Sequence, residues 1–213
     1  GDGLNLLFTG HMDTSYDGTE DHLGSGPGYK AEAIRDGDWI WGFGARNMKS
    51  GLASALIAIE AIAKANIKLA GDISFGGVVG EIEKTSIDAF QGPAYAGYGV
   101  GSKHLVTHGV TADYAILAEP TRLQISTANM GCMWVRLTLG GSVAHAANSS
   151  KPGVVNAISR MTELYGDLQQ WASGFAQAAV FMGERPNVTF SAIAAGAPWR
   201  LSRNPHSCSL YLD

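Results

Sequence analysis

Charge is scarce in this chain. Only 16% of its 213 residues are Asp, Glu, Lys or Arg, against about 25% in ordinary globular proteins, and that scarcity argues against a solvated, disordered tail. Basic residues are the scarcer sign. Fifteen Lys and Arg stand against 19 Asp and Glu, a formal net charge of −4, so the basic face of a nucleic-acid-binding protein is lacking. Cysteine is limited to Cys132 and Cys208, far apart and without a C-x-x-C pair. This reads as two free thiols in a reducing, cytoplasmic compartment, with one long-range disulfide as the open alternative. No apolar run approaches the roughly 18 to 20 residues of a membrane-spanning helix, so no membrane partner is expected. The Gly1-Asp2-Gly3 start has neither an initiator Met nor a signal-peptide pattern. Both ends read as cut, and the chain is expected to be an incomplete piece of a longer protein.

What is present is apolar and rich in glycine. Hydrophobic residues make up 46%, enough to build one large domain or two modest ones. Leu4 to Thr9, Gly71 to Val79 and Asp113 to Ala118 each read as a buried strand. They lead into Gly10-His11-Met12-Asp13, Gly80-Glu81-Ile82-Glu83 and Glu119-Pro120. Ligands of open α/β sheets bind at the carboxyl ends of strands, so three such endings in His or Glu point to a site. Ser15 to Gly37 is loop-like. Leu52, Ala55, Leu56, Ile59, Ile62 and Ala63 follow helical spacing.

The character changes near residue 128. Cys132 to Leu139 alternates apolar and polar, Val154 to Trp171 follows helical spacing, and Asn187 to Ala195 and Ser207 to Leu212 read as strands. Strand, helix, strand, strand predicts a second, α+β unit, with boundaries at 1–127 and 128–213.

The chemistry-bearing residues sit at these junctions. His11 and Asp13 lie two apart, so on an extended strand the carboxylate stands beside the imidazole and can fix its tautomer for metal binding. Carboxylates at buried strand ends, as at Glu81, Glu83 and Glu119, serve as general bases or as metal ligands. The glycine loop Gly42-Phe43-Gly44 before the helix suggests phosphate binding. Neither phosphate pattern fits, because Asn47 stands where the dinucleotide motif needs glycine and Lys49-Ser50 has no glycine directly before it. Arg200, Arg203 and Asn204 are candidates for a substrate carboxylate, the alternative being a solvated loop beside Pro198 and Pro205.

Taken in order, these segments resemble the M20 family of metallopeptidases and acylamino-acid deacylases. Leu7-Phe8-Thr9-Gly10-His11-Met12-Asp13-Thr14 is similar to that family's H-x-D-T. Trp41-Gly42-Phe43-Gly44-Ala45-Arg46-Asn47-Met48-Lys49-Ser50-Gly51-Leu52 is similar to its G-x-G-x-x-D-M-K-x-G-L. Gly80-Glu81-Ile82 falls at its D-E-E, and Ala118-Glu119-Pro120-Thr121 at its E-P-T. Gly141-Ser142-Val143-Ala144-His145-Ala146-Ala147 resembles the lid histidine motif, and Gly153 to Ile158 the start of the lid helix.

The resemblance implies an α/β fold: a zinc-peptidase-like catalytic domain with a mixed sheet, plus part of an α+β ferredoxin-like lid. It implies hydrolysis of N-acyl amino acids or small peptides by metal-activated water, in a homodimer joined through the lid. His11 and Glu119 would bind the first zinc, with Co or Mn as other possible ions, and Asp13 would orient His11. Glu81 would be the general base, and lid His145 would stabilise the oxyanion. Two departures fall on metal ligands: Asn47 replaces a bridging aspartate, and Ile82 replaces a glutamate of the second metal. The Asn47 carbonyl remains a ligand for one ion. Glu83 would substitute at the second if the strand stays extended past Val79. One ion is therefore expected. The alternative is a metal-poor homologue that binds acyl-amino acids or peptides without turning them over, and a nucleotide-binding α/β protein is a third reading.

Overall fold

The computed structural model describes residues 1–20, 23–82, 97–178 and 180–213. They divide into two units, Gly1–Ala128 and Asn129–Asp213.

In the first unit β1, Leu6–His11, is followed by a short antiparallel hairpin of β2, Ile34–Asp36, and β3, Trp39–Trp41. The hairpin lies partly in the stretch read as loop. Asp36 pairs with Trp39 across Gly37 and Asp38, and Gly37 takes φ 58. A two-residue turn of this kind needs a residue that tolerates positive φ. Helix α1, Ser50–Lys64, then leads to β4, Ile73–Val78, and α2, Val100–Thr107, leads to β5, Tyr114–Leu117. No apolar periodicity announces α2, which buries none of its residues.

The sheet order is β4-β1-β5, with both outer strands parallel to β1. A mixed sheet is not what the described residues form. Each return between these strands crosses over through a helix, and a helical crossover brings the chain back in the same direction. Gly10 faces Met48 and Leu52, and Gly76 faces Leu105 of α2. Gly10 pairs with Gly77 and Thr9 with Gly76, so α1 and α2 cover opposite faces of the sheet. The buried apolar residues here are Leu7, Met48, Leu52, Ala55 and Val78. Of the predicted α1 stripe, Leu56 is 49% exposed, so the helix forms while only part of its apolar face is covered.

In the second unit β6, Val135–Gly140, and β7, Phe190–Ala195, both pair antiparallel with β8, Ser207–Leu212, in the order β6-β8-β7. Strands β6 and β7 therefore run parallel with β8 between them, and α3, Ala157–Ala178, forms the crossover. This is a split βαβ arrangement. Ala157 and Met161 of α3 pack on Cys208, Leu210 and Leu212 of β8. Burial of a Met or Leu side chain of this kind contributes about 1.5–3 kcal/mol. Both cysteines are free thiols, Cys132 exposed and Cys208 buried, and burial pushes the Cys208 thiol pKa up. Among the described residues no helix is long and apolar enough to cross a membrane.

Candidate metal centre

Parallel pairing puts the three strand ends of the first unit on one edge. His11 closes β1 and is 1% exposed. Strand β4 ends at Val78, and the chain turns at Gly80, where φ is 81. The first turn of α2 holds that turn: the Gly99 N–H donates to Gly80 O at 2.9 Å and the Gly101 N–H to Val79 O at 3.0 Å. Gly101 sits so close to Val79 that a Cβ has no room. Glu81 is thereby delivered to the edge. Glu119 follows β5 by two residues, where Gly51 of α1 packs directly on Ala118, again without room for a Cβ. The glycine loop before α1 has a structural use. Gly44, at φ 69, opens the irregular helical turn Ala45–Lys49, which brings Asn47 to His11 while the Met48 side chain packs against Gly10.

The neighbours of the His11 imidazole are all placed as acceptors. Nδ1 lies 3.0 Å from the backbone oxygen of Asp13 and 3.5 Å from Asp13 Oδ1. Nε2 lies 3.1 Å from Asn47 Oδ1, 3.2 Å from Glu119 Oε1 and 3.6 Å from Glu81 Oε2. A neutral imidazole has one N–H and one lone pair. With the proton on Nδ1, donated to Asp13, the Nε2 lone pair faces three oxygens. Turning the Asn47 amide over relieves one of these contacts and leaves both carboxylates. A cation at the centre converts the whole set from repulsion to attraction. One donor atom each from His11, Glu81 and Glu119 lies within 4.8 Å of the others, a group able to hold a metal ion.

The carboxylates differ in surroundings. Glu119 has its pKa raised, first by burial and then by the neighbouring charge of Glu81, with His11 opposing both. Its side chain is 29% exposed, and that of Glu81 is 53% exposed. Asp13 uses Oδ2 to accept the backbone N–H of Ile82 at 3.0 Å, while its buried Oδ1 has no hydrogen-bond partner.

Five of the residues singled out from sequence meet here: His11, Asp13, Asn47, Glu81 and Glu119. Glu83 lies outside the described residues. The strand itself ends at Val78 and does not stay extended past Val79, because Gly80 is left-handed. Ile82 has no side-chain donor, yet its backbone N–H joins the site, and nothing in the sequence pattern marks that contribution. His145 belongs to the second unit. It caps the short turn Ala146–Asn148, its Nδ1 accepting the Ala147 N–H at 3.2 Å. Asn204 is neither solvated nor open to a substrate. It is 2% exposed, and its Nδ2 donates to the carbonyls of Ser142 and Val155, each at 2.8 Å.

Fold and site together define an α/β protein whose parallel sheet carries, at its carboxyl edge, a His–carboxylate cluster able to hold a metal ion. The chain belongs to peptidase family M20/M25/M40, whose sequence model matches residues 7–209. Among curated relatives it is 28% identical over 180 residues to a succinyl-diaminopimelate desuccinylase of Cupriavidus taiwanensis, covering 81% of this chain and 43% of the relative. It is 31% identical over 150 residues to a succinyl-diaminopimelate desuccinylase of Polynucleobacter necessarius, covering 68% and 36%. The chain thus spans less than half the length of these relatives. A solved tripeptidase from Staphylococcus aureus has the same fold, with TM-score 0.53 at 18% identity over 99% of this chain and 48% of that one.

Proposed function

We propose that this chain carries the metal centre of a hydrolase that cleaves the amide bond of N-acyl amino acids or small peptides. The observation that supports this best is the crowding of Asn47 Oδ1, Glu119 Oε1 and Glu81 Oε2 around a single imidazole nitrogen. His11 and Glu119 would hold one ion, with the neutral Asn47 oxygen beside them, and a nitrogen–oxygen donor set of this kind suits zinc, with cobalt or manganese as substitutes. A divalent ion supplies Lewis-acid polarisation of the scissile carbonyl and makes a nearby water more acidic at neutral pH.

The chain's own groups do the rest. Asp13 accepts at Nδ1 through its backbone oxygen and keeps the Nε2 lone pair aimed inward. Glu81, the more exposed carboxylate, takes a proton from water and returns it to the leaving amine. In this reading the first unit is part of the catalytic domain, and the second is part of a lid through which two subunits pair. His145 of that lid donates to the oxyanion.

The experiment measures bound zinc and release of free amine from N-acyl amino acids and small peptides, for wild type and Glu81→Gln. Turnover lost in the variant with zinc retained is the expected result. Zinc-independent turnover, or turnover unaffected by the variant, would sink the assignment. Metal-poor wild type that binds these compounds without cleaving them would return the binding-protein reading, which the neutral side chains of Asn47 and Ile82 favour.

A further inference from the structure

Helix α2 and its C-cap carry His104-Leu105-Val106-Thr107-His108, and the centre at His11 uses neither of these imidazoles. Residues at i and i+4 of a helix are neighbours on one face. The His108 N–H donates to His104 O at 3.0 Å, so that spacing holds through the cap. The two rings stack, with centroids 3.7 Å apart and planes inclined by 29°. Both residues are exposed. Among the described residues neither ring nitrogen of His104 has a hydrogen-bond or ion-pair partner, and neither does Nε2 of His108.

One ring is already oriented as a metal ligand. His108 Nδ1 lies 2.8 Å from His104 O, and a carbonyl only accepts, so Nδ1 carries the proton. The Thr107 hydroxyl is 3.3 Å from the same nitrogen, but it donates its own proton to Lys103 O at 2.8 Å. In the neutral ring the lone pair is therefore on Nε2. Metal-binding histidines have this support behind them, a ring N–H donated to a backbone carbonyl. Two nitrogens bound to one ion at about 2.0–2.1 Å stand about 3 Å apart, so rings this close need only small turns to share it. The pair also lies at the end of α2, where the carbonyl end of a helix favours a cation.

We propose that His104 and His108 form a second metal site, a surface chelate for a divalent transition ion such as nickel, copper or zinc, with water completing the coordination. Imidazole suits all three ions. Two protein ligands hold an ion less firmly than the donors converging at His11, so this site adds nothing to the tightly held zinc. It does not depend on the hydrolase reading. It does bear on the first centre. Helix α2 fully buries none of its residues, yet the Gly99 and Gly101 N–H groups at its start hold Gly80 O and Val79 O, just before Glu81. An ion that bridges one helical turn binds the helical form alone and stabilises it. The surface ion thereby firms the turn that delivers Glu81.

The test is a nickel titration of the 213-residue chain, preloaded with zinc and followed by NMR on the histidine ring protons, which the paramagnetic ion broadens. The His104 and His108 signals are expected to broaden together, before those of the exposed His145 and His206. His104→Ala and His108→Ala should each weaken nickel by about tenfold or more, since even a group behind a ligand is worth about 10–100-fold. The double change Lys103→His/His104→Ala keeps the number of histidines but takes one off the shared face, and should bind as weakly as His104→Ala. Hydrogen exchange of α2, read by mass spectrometry, should slow in wild type towards about a hundredfold when nickel stands at a hundred times its Kd. Equal broadening of all exposed histidines, or wild-type affinity in the double change, would overturn the chelate. Unchanged exchange of α2 at saturation would overturn its link to the Glu81 turn. The His11 ring reports the first centre separately, so failure of zinc there leaves this site standing.

Discussion

The Asp13 carboxylate accepts the backbone N–H of Ile82 at 3.0 Å, tying the turn after β1 to the segment that carries Glu81. Asp13 thus has two tasks, since its backbone oxygen also meets Nδ1 of His11. In Asp13→Ala the Ile82 N–H loses a charged partner, a loss of about 1–3 kcal/mol locally. Amide exchange at Ile82 is expected to quicken while that at Leu7 in the core of β1 stays slow. Unchanged protection at Ile82 would show that the bond holds nothing in solution.

Zinc titration should find one tightly held ion per chain. His11→Ala and Glu119→Ala should each abolish tight binding, because they remove two of the few donors that converge on one point. Elemental analysis returning two tightly held ions per chain would contradict the one-ion centre.

Asn47→Asp is expected to raise the affinity for zinc by about tenfold or more. It turns a neutral oxygen 3.1 Å from His11 Nε2 into a carboxylate, and an ionised partner strengthens such a contact by more than 1 kcal/mol. Competition with a chelator reads this directly. Equal affinities would mean that the residue 47 oxygen stands outside the coordination sphere.

The raised pKa of Glu119 gives the metal-free chain a definite pH trend. Its folded form binds a proton more readily than its unfolded form. Between the ordinary Glu range and the higher folded value the folded state therefore holds more protons, and stability falls as pH rises through that window. Zinc competes for the same oxygen, so zinc affinity should rise with pH across the same window. Denaturant titrations of wild type and Glu119→Gln, without metal, should show the fall in wild type and a flatter profile in the variant.

The site was more legible in the sequence than the architecture around it. Apolar runs ending in His11, Glu81 and Glu119 are readable because parallel strands share one carboxyl edge, so three separated endings become one cluster. Strand β8 occupies Ser207–Leu212 as patterned, alternating buried and half-buried positions. The helix α2 left no apolar trace, because its part is played by backbone bonds to Val79 and Gly80. The hairpin of β2 and β3 was obscured for a related reason: five of its six strand residues are exposed, so no alternation is written there. The Ile82 N–H and the buried amide of Asn204 escaped because a backbone donor has no residue-type signature and a polar letter does not reveal burial.

Gly51 and Gly101 contribute no donor atom, yet each lies too close to backbone for a Cβ, beside Ala118 and Val79 respectively, and Gly10 lies against the flexible end of the Met48 side chain. The inheritance of the metal centre is therefore wider than its ligands. A single-base change at Gly51 would leave His11, Glu81 and Glu119 intact in the gene while shifting the ground on which Glu119 stands. Random mutagenesis scored for lost zinc would return these glycines alongside the ligands themselves. A catalogue of harmful variants would consequently mark positions where no chemistry occurs.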